Sequence, residues 1–228
     1  MKINKTLLVL TLIAISLSTF IYKTSEIEAQ DKNIIYNVPF TSQAPKGNWQ
    51  DIRQEDGCEE TSSLMAVKWA RNEKFKNVND TEKQLVAISD WEKKIYGSYQ
   101  DTSAKDTAAR ILKGYFNFNN YSVKENITIT DIKNELYKGN IVMLPMNGIK
   151  LKNPNYKQPG PPRHMILVTG YDVQKKQFIA NDPGTRKGEK YRYSEKILFN
   201  AIQDYPSGNN LPIKSINKNM IIIKPNKK

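Results

Sequence analysis

The sequence predicts an α+β domain, because helical patterns fill its first half and strand patterns fill its second half. Apolar residues recur with helical spacing up to about residue 138, and short apolar runs bounded by turn residues follow from residue 141. This order is typical of helices packed on a mostly antiparallel sheet. A length of 228 residues, with 39% apolar and 25% charged residues, fits one soluble domain behind a short leader.

Four helices are predicted in the first half. A short strand over residues 33–40 comes first, and a polar loop over residues 41–57 follows it. The expected helices cover about residues 58–71, 82–95, 102–115 and 131–138. Asp80 or Thr81 is expected to cap the second helix, and Thr130 the fourth, because short polar side chains accept hydrogen bonds from the free N–H groups of a first turn.

Five strands and one further helix are predicted in the second half. The strands are expected at residues 141–144, 164–171, 177–181, 190–193 and 220–223, with the helix at about 195–203. Residues 147–163, which hold prolines 154, 159, 161 and 162, are predicted to form a stiff loop just before the second of these strands. We expect this loop to overhang a cleft between a helical lobe and a sheet lobe.

The first 29 residues have the layout of an export signal. Lys2 and Lys5 precede an uncharged run over residues 6–22, and Lys23 and a polar stretch follow it. Cleavage after Ala29 would leave a mature domain over residues 30–228. An uncleaved membrane anchor is the alternative, because the 17-residue run is at the short limit for a spanning helix. The protein is therefore expected to be secreted or associated with the cell envelope.

The net charge of +12 restricts the expected partners. The lysines are scattered, and neither a zinc-finger spacing nor an RNA-binding signature accompanies them. We therefore expect no specific nucleic-acid partner and interpret the charge as a solvated basic surface. Anionic cell-envelope polymers or lipid headgroups are partners that such a surface would attract in an exported protein. No cofactor and no metal are expected, and the protein is expected to be a monomer.

One cysteine and one histidine occur in the whole chain. Cys58 stands at the start of a predicted helix and cannot form a disulfide within the chain, so it is either a reactive thiol or a small buried apolar side chain. His164 opens a predicted strand, and Asp182 follows eighteen residues later. A nucleophile, a base and an orienting carboxylate in this order are what a thiol hydrolase uses. Asn181 is the rival orienting group, because strand alternation turns only one of the pair towards His164.

Several motifs in order resemble the C39-like cysteine peptidases, a group with a papain-like fold. The resemblance covers about residues 34–225. Its motifs are residues 38–45 (VPFTSQAP), Trp49, residues 58–62 (CEETS), residues 164–172 (HMILVTGYD) and residues 181–186 (NDPGTR). The resemblance implies a two-lobed papain-like domain that cleaves peptide or amide bonds of a peptide or protein substrate through an acyl-enzyme.

The same resemblance implies a role for four residues. Cys58 would be the nucleophile, His164 the base, Asp182 the group that orients the imidazole, and Gln43 the donor to the oxyanion. Gln54 is the rival donor because it is nearer to Cys58 in the sequence. Two alternatives remain open, namely a catalytically silent papain-like binding module at the cell envelope and an acyl or peptidyl transferase that uses the same thioester.

The two residues after the cysteine depart from a pattern seen in this group. Glu59 and Glu60 stand where the bacteriocin-processing members carry Gly-Pro, and no transporter segments follow the domain, so processing of leader peptides is not implied. We expect both glutamates to face away from His164 and to supply favourable negative charge to the first turn of the helix.

Overall fold

An antiparallel sheet of seven strands forms the centre of the computed structural model, which describes residues 32–208, 212–214 and 216–226. In chain order the strands are β1 (Ile34–Ile35), β2 (Tyr121–Lys124), β3 (Ile141–Met146), β4 (His164–Asp172), β5 (Gln177–Asn181), β6 (Tyr191–Ser194) and β7 (Met220–Ile223). They lie side by side in the order β2-β7-β3-β4-β5-β6, and β1 pairs with β4. All of these pairings are antiparallel.

Helices cover both faces of this sheet. They are α1 (Ile52–Glu55), α2 (Cys58–Ala70), α3 (Val78–Tyr96), α4 (Ala104–Thr107), α5 (Ile129–Tyr137), α6 (Gly148–Leu151) and α7 (Glu195–Ala201). A π-helix, Ala108–Tyr115, continues α4 directly. The predicted α+β class is confirmed, and the five strands of the second half begin and end within two residues of their predicted bounds.

Strand β4 is central and is buried along all nine of its residues. Met165 and Leu167 pack in an apolar cluster that includes Met65 of α2. Ile166 and Val168 point to the other face, into a cluster that includes residues of α5 and α7. Because both faces of this strand are covered, its sequence is apolar without alternation. His164 is the first residue of this strand, where it leaves the loop.

The caps of two helices differ from the predicted ones. Helix α3 begins at Val78, because the Asn77 side chain accepts from Asp80 N at 2.9 Å. Helix α5 begins at Ile129, because Thr128 and Asp131 form a reciprocal capping box. Asp80, Thr81 and Thr130 lie inside their helices. Both segments hold several short polar residues close together, and only a residue with extended backbone can serve as the cap.

Short elements went unpredicted. The predicted loop over residues 41–57 contains α1, and the predicted proline loop contains α6. Strand β2 was missed because it is an edge strand of four residues that depends on its pairing with β7. The predicted first strand is limited to β1, and the chain is irregular from Tyr36 to Phe40. Each of these elements is too short for a periodic pattern to reveal it.

The described residues from Ile34 onward form one compact unit. The predicted signal peptide or membrane anchor over residues 1–29 lies outside the described residues. In the described ranges, no helix combines the length and the hydropathy that crossing a membrane requires.

Candidate active site

Cys58 is the first residue of α2, as predicted, and is 5% exposed. A Cβ at the preceding residue, Gly57, would lie 2.6 Å from a backbone oxygen of α1, so a glycine is needed where α2 follows α1 so closely. Helix α2 packs on β4, where Ser62 Oγ donates to Met165 O at 3.2 Å. The first turn of α2 therefore lies beside the start of the strand that carries His164.

The His164 imidazole contacts the Asp182 carboxylate. His164 Nε2 lies 2.8 Å from Asp182 Oδ1, and both side chains are almost fully buried. Gly184 N donates to the same Oδ1 at 3.0 Å, which fixes the carboxylate from the turn that follows it. A Cβ at Gly184 would lie 2.9 Å from His164 Cε1. The glycine therefore lets this turn lie against the imidazole ring, where a side chain would displace it.

Two tyrosines and an asparagine hold the second oxygen of this carboxylate. Tyr156 and Tyr193 each donate a hydroxyl hydrogen to Asp182 Oδ2 at 2.5 Å, and Asn153 Nδ2 donates to it at 3.2 Å. The Tyr156 ring also meets the His164 ring edge-on, with centroids 5.4 Å apart. Burial alone would raise the pKa of Asp182, yet that pKa lies below its ordinary value because His164 and the two hydroxyls favour the charged carboxylate.

The rival orienting residue points elsewhere. Asn181 Nδ2 donates to Val38 O at 3.2 Å, and its Oδ1 accepts from Lys190 N at 3.0 Å. Of the two neighbours, Asp182 is therefore the one that contacts His164. Strand β5 ends at Asn181, so the carboxylate stands on the turn that follows the strand.

Gln43 links the two parts of the site. Gln43 N donates to Pro183 O at 3.0 Å, beside the turn of Asp182, and its Nε2 donates to Glu55 O at 2.5 Å, three residues before Cys58. Gln54 Nε2 instead reaches the side chain of Asp51 at 3.5 Å. Both glutamines are buried. Gln43 therefore joins the His164–Asp182 side of the site to the segment that leads into the cysteine, whereas the Gln54 amide is directed to the start of α1.

Glu59 contacts the candidate nucleophile and shares a tyrosine partner with the backbone of His164, whereas it was expected to face away from His164. The Cys58 thiol donates to Glu59 Oε2 at 3.0 Å, and Tyr205 Oη donates to Glu59 Oε1 at 2.7 Å. The same hydroxyl lies 3.2 Å from His164 O. Among the described residues, no hydrogen bond joins the thiol to the imidazole. The expectation was wrong because the Glu59 side chain is buried and reaches back to the sulfur of the preceding residue.

Glu60 is also buried, but it points away from the sulfur. Its Oε1 accepts from Ser89 of α3 at 3.0 Å, so the expectation that it faces away from His164 matches its contacts, although it is not a solvated charge. Burial, and then the neighbouring Glu92 and Glu59, raise the pKa of Glu60 well above its ordinary value. The first turn of α2 thus carries two buried carboxyl groups with different partners.

The four residues that complete these networks escaped sequence reasoning. They are Asn153, Tyr156, Tyr193 and Tyr205. They come from the proline loop, from β6 and from the segment after α7, and no local spacing connects them to the cysteine or the histidine. The proline loop was expected to overhang the cleft, and it is this loop that supplies Asn153 and Tyr156.

No group of three or more His, Cys, Asp or Glu side chains in the described ranges could hold a metal ion.

Comparison with known families places the chain in one of them. The model of the Peptidase_C39 like family matches residues 35–207, which include the candidate nucleophile, base and carboxylate. The chain belongs to the Peptidase_C39 like family. Membership of this family indicates a cysteine peptidase-type function. Comparison with curated proteins gives no significant match.

A solved structure also resembles this member of the family. It is a crystal structure described as that of a C39-like peptidase from Bacillus anthracis, with a TM-score of 0.48 and 14% sequence identity. The match covers 86% of this chain and 100% of that chain.

Proposed function

We propose that this protein is a hydrolase that cleaves peptide or amide bonds through an acyl-enzyme on Cys58. The observation that carries the proposal is the contact between His164 Nε2 and the buried Asp182 carboxylate at 2.8 Å, next to the helix that begins at Cys58. Burying a carboxylate costs desolvation free energy, and five hydrogen-bond contacts hold this one in place. A role in orienting the imidazole and stabilising its charged form accounts for such a group. Family membership supports the same class of reaction.

The proposed mechanism uses the two nitrogens of the imidazole for different tasks. Because Nε2 is held by Asp182, Nδ1 is left to accept the proton of the Cys58 thiol. The resulting thiolate attacks the carbonyl carbon of the substrate, and the imidazolium returns the proton to the leaving amine. Water then attacks the thioester and is deprotonated by the same nitrogen. Asp182 stays ionised and stabilises the imidazolium in both halves of the cycle.

Trapping of the intermediate tests this proposal. The protein is mixed with a digest of denatured proteins, quenched in acid during turnover, and the peptide that contains Cys58 is examined by mass spectrometry. We expect acyl adducts on that peptide, which disappear when hydroxylamine is added before the quench. A protein that yields new peptide termini without any adduct, and yields them equally well as Cys58→Ala, would contradict the proposal. Products that join the acyl group to an added amine would instead favour the transferase alternative.

We propose Gln43 as the donor to the oxyanion. Its backbone N–H contacts the turn that follows Asp182, its side-chain amide contacts the segment before Cys58, and only one of the two N–H groups of that amide is needed for the contact with Glu55 O. Gln43→Ala is expected to lower kcat by about 100-fold to 1,000-fold with little change in KM, because the lost bond strengthens in the transition state. Steady-state kinetics of the variant measures this effect.

Gln54→Ala is the matched control for this prediction. Gln54 is buried like Gln43, but its amide is directed to Asp51 at the start of α1. We expect kcat of Gln54→Ala to fall by less than about tenfold, far less than the loss expected of one oxyanion donor. A larger loss in Gln54→Ala than in Gln43→Ala would assign the oxyanion donor to the other glutamine.

We also propose that the protein is exported as a monomer and acts at or beyond the cell envelope. The basic leader with its uncharged run supports export, and a net charge of +12 supports attraction to anionic envelope polymers or lipid headgroups without a specific nucleic-acid partner. Expression of the full chain in a bacterial host tests this proposal. A protein recovered outside the cytoplasm with a new N-terminus near Gln30 would support a cleaved signal. A membrane-bound protein that keeps Met1 would support the anchor, and a full-length protein in the cytoplasm would refute both.

A further inference from the structure

The thiol of Cys58 has an unusual partner, since it donates to the carboxyl group of the very next residue. We propose that Glu59 is a further catalytic residue, which accepts a hydrogen bond from the protonated thiol in the resting protein and so sets the pH at which the sulfur becomes a nucleophile. The inference deepens the proposed function, because it takes Cys58 as the nucleophile of that reaction. It assigns Glu59 a role that neither the imidazole nor Asp182 performs.

The hydrogen bonds around Glu59 fit a carboxylate beside a protonated thiol. Two donors, the Cys58 S–H and the Tyr205 O–H, converge on its two oxygens at 3.0 and 2.7 Å. Both donors then have an acceptor, and the carboxylate receives one hydrogen bond on each oxygen. If the sulfur lost its proton to a distant acceptor, two anions would stand 3.0 Å apart in a site without solvent. The thiol can therefore ionise only when Glu59 takes the proton, or when His164 takes it against the repulsion of Glu59.

The position of Glu59 is fixed by groups that cannot move aside. Glu59 and Tyr205 are both fully buried, and the Tyr205 hydroxyl also lies 3.2 Å from His164 O at the start of β4. Tyr205 therefore connects the carboxyl group that contacts the nucleophile to the backbone of the base. A surface glutamate next to a cysteine could swing into water, whereas this one is held beside the sulfur.

The charges around the pair favour retention of the proton. The titratable or charged groups that interact with Glu59 or Cys58 from the elements packed against them are Glu60, Glu92, Asp101, His164 and Tyr205. Arg163 is engaged by Asp101 at 2.7 Å. Burial, and then the Glu59 charge and its hydrogen bond, raise the pKa of Cys58 well above its ordinary value. These effects oppose the start of α2, which by itself would favour a thiolate.

The thiol proton moves from Cys58 to His164 when the enzyme reacts. In the resting state it stays on Cys58 Sγ and is shared in a hydrogen bond with Glu59 Oε2. For reaction, the S–H bond turns from Glu59 towards His164 Nδ1, the proton moves to the imidazole, and the electron pair left on the sulfur attacks the substrate carbonyl. The imidazolium gives that proton to the leaving amine. In deacylation the imidazole takes a proton from the attacking water and gives it to the departing sulfur, and the hydrogen bond to Glu59 forms again. Glu59 thus keeps the sulfur unreactive until the imidazole replaces it as partner.

Titration of the sulfur tests the inference without any substrate. The ultraviolet absorbance of the thiolate is recorded against pH, and Cys58→Ala supplies the blank because the chain has one cysteine. In Glu59→Gln we expect the midpoint to fall by at least about one pH unit, which means tenfold more thiolate at any pH below both midpoints. Glu60→Gln is the matched control, since it replaces the other buried carboxyl group of the same helix turn, which contacts Ser89 instead of the sulfur. We expect its shift to be less than half as large.

Glu59→Met is a second variant that tests the inference if Glu59→Gln does not fold. Glu59→Met removes the charge, retains the volume and leaves the Tyr205 hydroxyl its contact with His164 O. We expect its midpoint to fall as well, by less than in Glu59→Gln, because methionine offers no N–H to the thiolate. Circular dichroism and thermal unfolding identify variants that fold. The inference is overturned if the folded Glu59 variants keep the wild-type midpoint, move it upward, or shift no further than Glu60→Gln.

Failure of this inference can be told apart from failure of the proposed function. Unchanged midpoints together with acyl adducts on Cys58 would remove Glu59 from the mechanism and leave the hydrolase intact. Lowered midpoints in a protein that forms no adducts would show that Glu59 restrains the thiol while the proposed reaction is wrong. The two measurements share no substrate, so neither result depends on the other.

Discussion

Cys58→Ala and His164→Ala should each lower turnover of peptide or amide substrates by about 100,000-fold or more. The first change removes the only atom in the chain that can form the thioester, and the second removes the group that takes its proton. Cleavage rates of the purified variants, compared with the wild-type rate at the same protein concentration, measure the effect. The result would separate a working enzyme from a silent binding module with the same fold.

The double variant provides the stricter part of this test. Residues that act as one catalytic unit are not additive, so Cys58→Ala with His164→Ala should be no slower than either single variant. The fold should survive in Cys58→Ala, because the lost sulfur is a small part of the apolar cluster around Met65. His164→Ala leaves the Asp182 charge buried without its imidazole, so we expect this variant to be clearly less stable in thermal unfolding. Cleavage that persists undiminished in Cys58→Ala would rule out the cysteine mechanism.

The fold was accessible from the sequence wherever a periodic pattern is long. Helix α2 and strands β4 and β5 are buried on one or both faces, and their sequences are therefore rich in apolar residues. Their ends could be placed where the apolar run gives way to polar or turn residues. The caps at Asn77 and Thr128 could not be chosen from the sequence, since neighbouring residues offer equivalent side chains and only the backbone geometry separates them. Strand β2 depends on a partner almost a hundred residues away in the chain.

The candidate site was accessible to the extent that its residues are chemically distinctive. Cys58 and His164 are each the only residue of their type, so they can be found by inspection. Whether Asn181 or Asp182 contacts His164 depends on the turn after β5, which the sequence does not specify. Glu59 was misjudged because a helix start can be either solvated or covered, and the segment that covers it, around Tyr205, lies 146 residues further on. Contacts over such distances leave no local pattern.

Asp182→Asn should lower kcat by about 100-fold to 10,000-fold, which is less than the loss expected for Cys58→Ala. The amide keeps the shape of the carboxylate, but it carries no charge to stabilise the imidazolium, and its N–H can face the ring and select the wrong tautomer. The hydroxyls of Tyr156 and Tyr193 also lose a charged acceptor. Steady-state kinetics across pH gives the size of the loss, and thermal unfolding shows whether the variant is folded.

Asn181→Ala is the matched control for this prediction. The Asn181 side chain contacts Val38 O and Lys190 N and does not reach the imidazole, so we expect a loss of stability with kcat within about tenfold of the wild-type value. If the folded Asn181→Ala protein were as slow as Asp182→Asn, the amide would have to be assigned the orienting role that the structure's contacts give to the carboxylate.

Asp182→Asn should also change the stability of the protein in acid. Burial opposes ionisation of Asp182, but His164 and the two tyrosine hydroxyls outweigh it, so the pKa in the folded protein lies below the unfolded value of about 3.9. The stability that this carboxylate contributes is fully present above the unfolded pKa and is lost as the pH falls through the folded pKa. Asp182→Asn has no such group to protonate. Urea unfolding between about pH 2 and pH 6 should therefore show a shallower acid loss in Asp182→Asn than in the wild type, and equal slopes would mean that Asp182 is not held as a carboxylate.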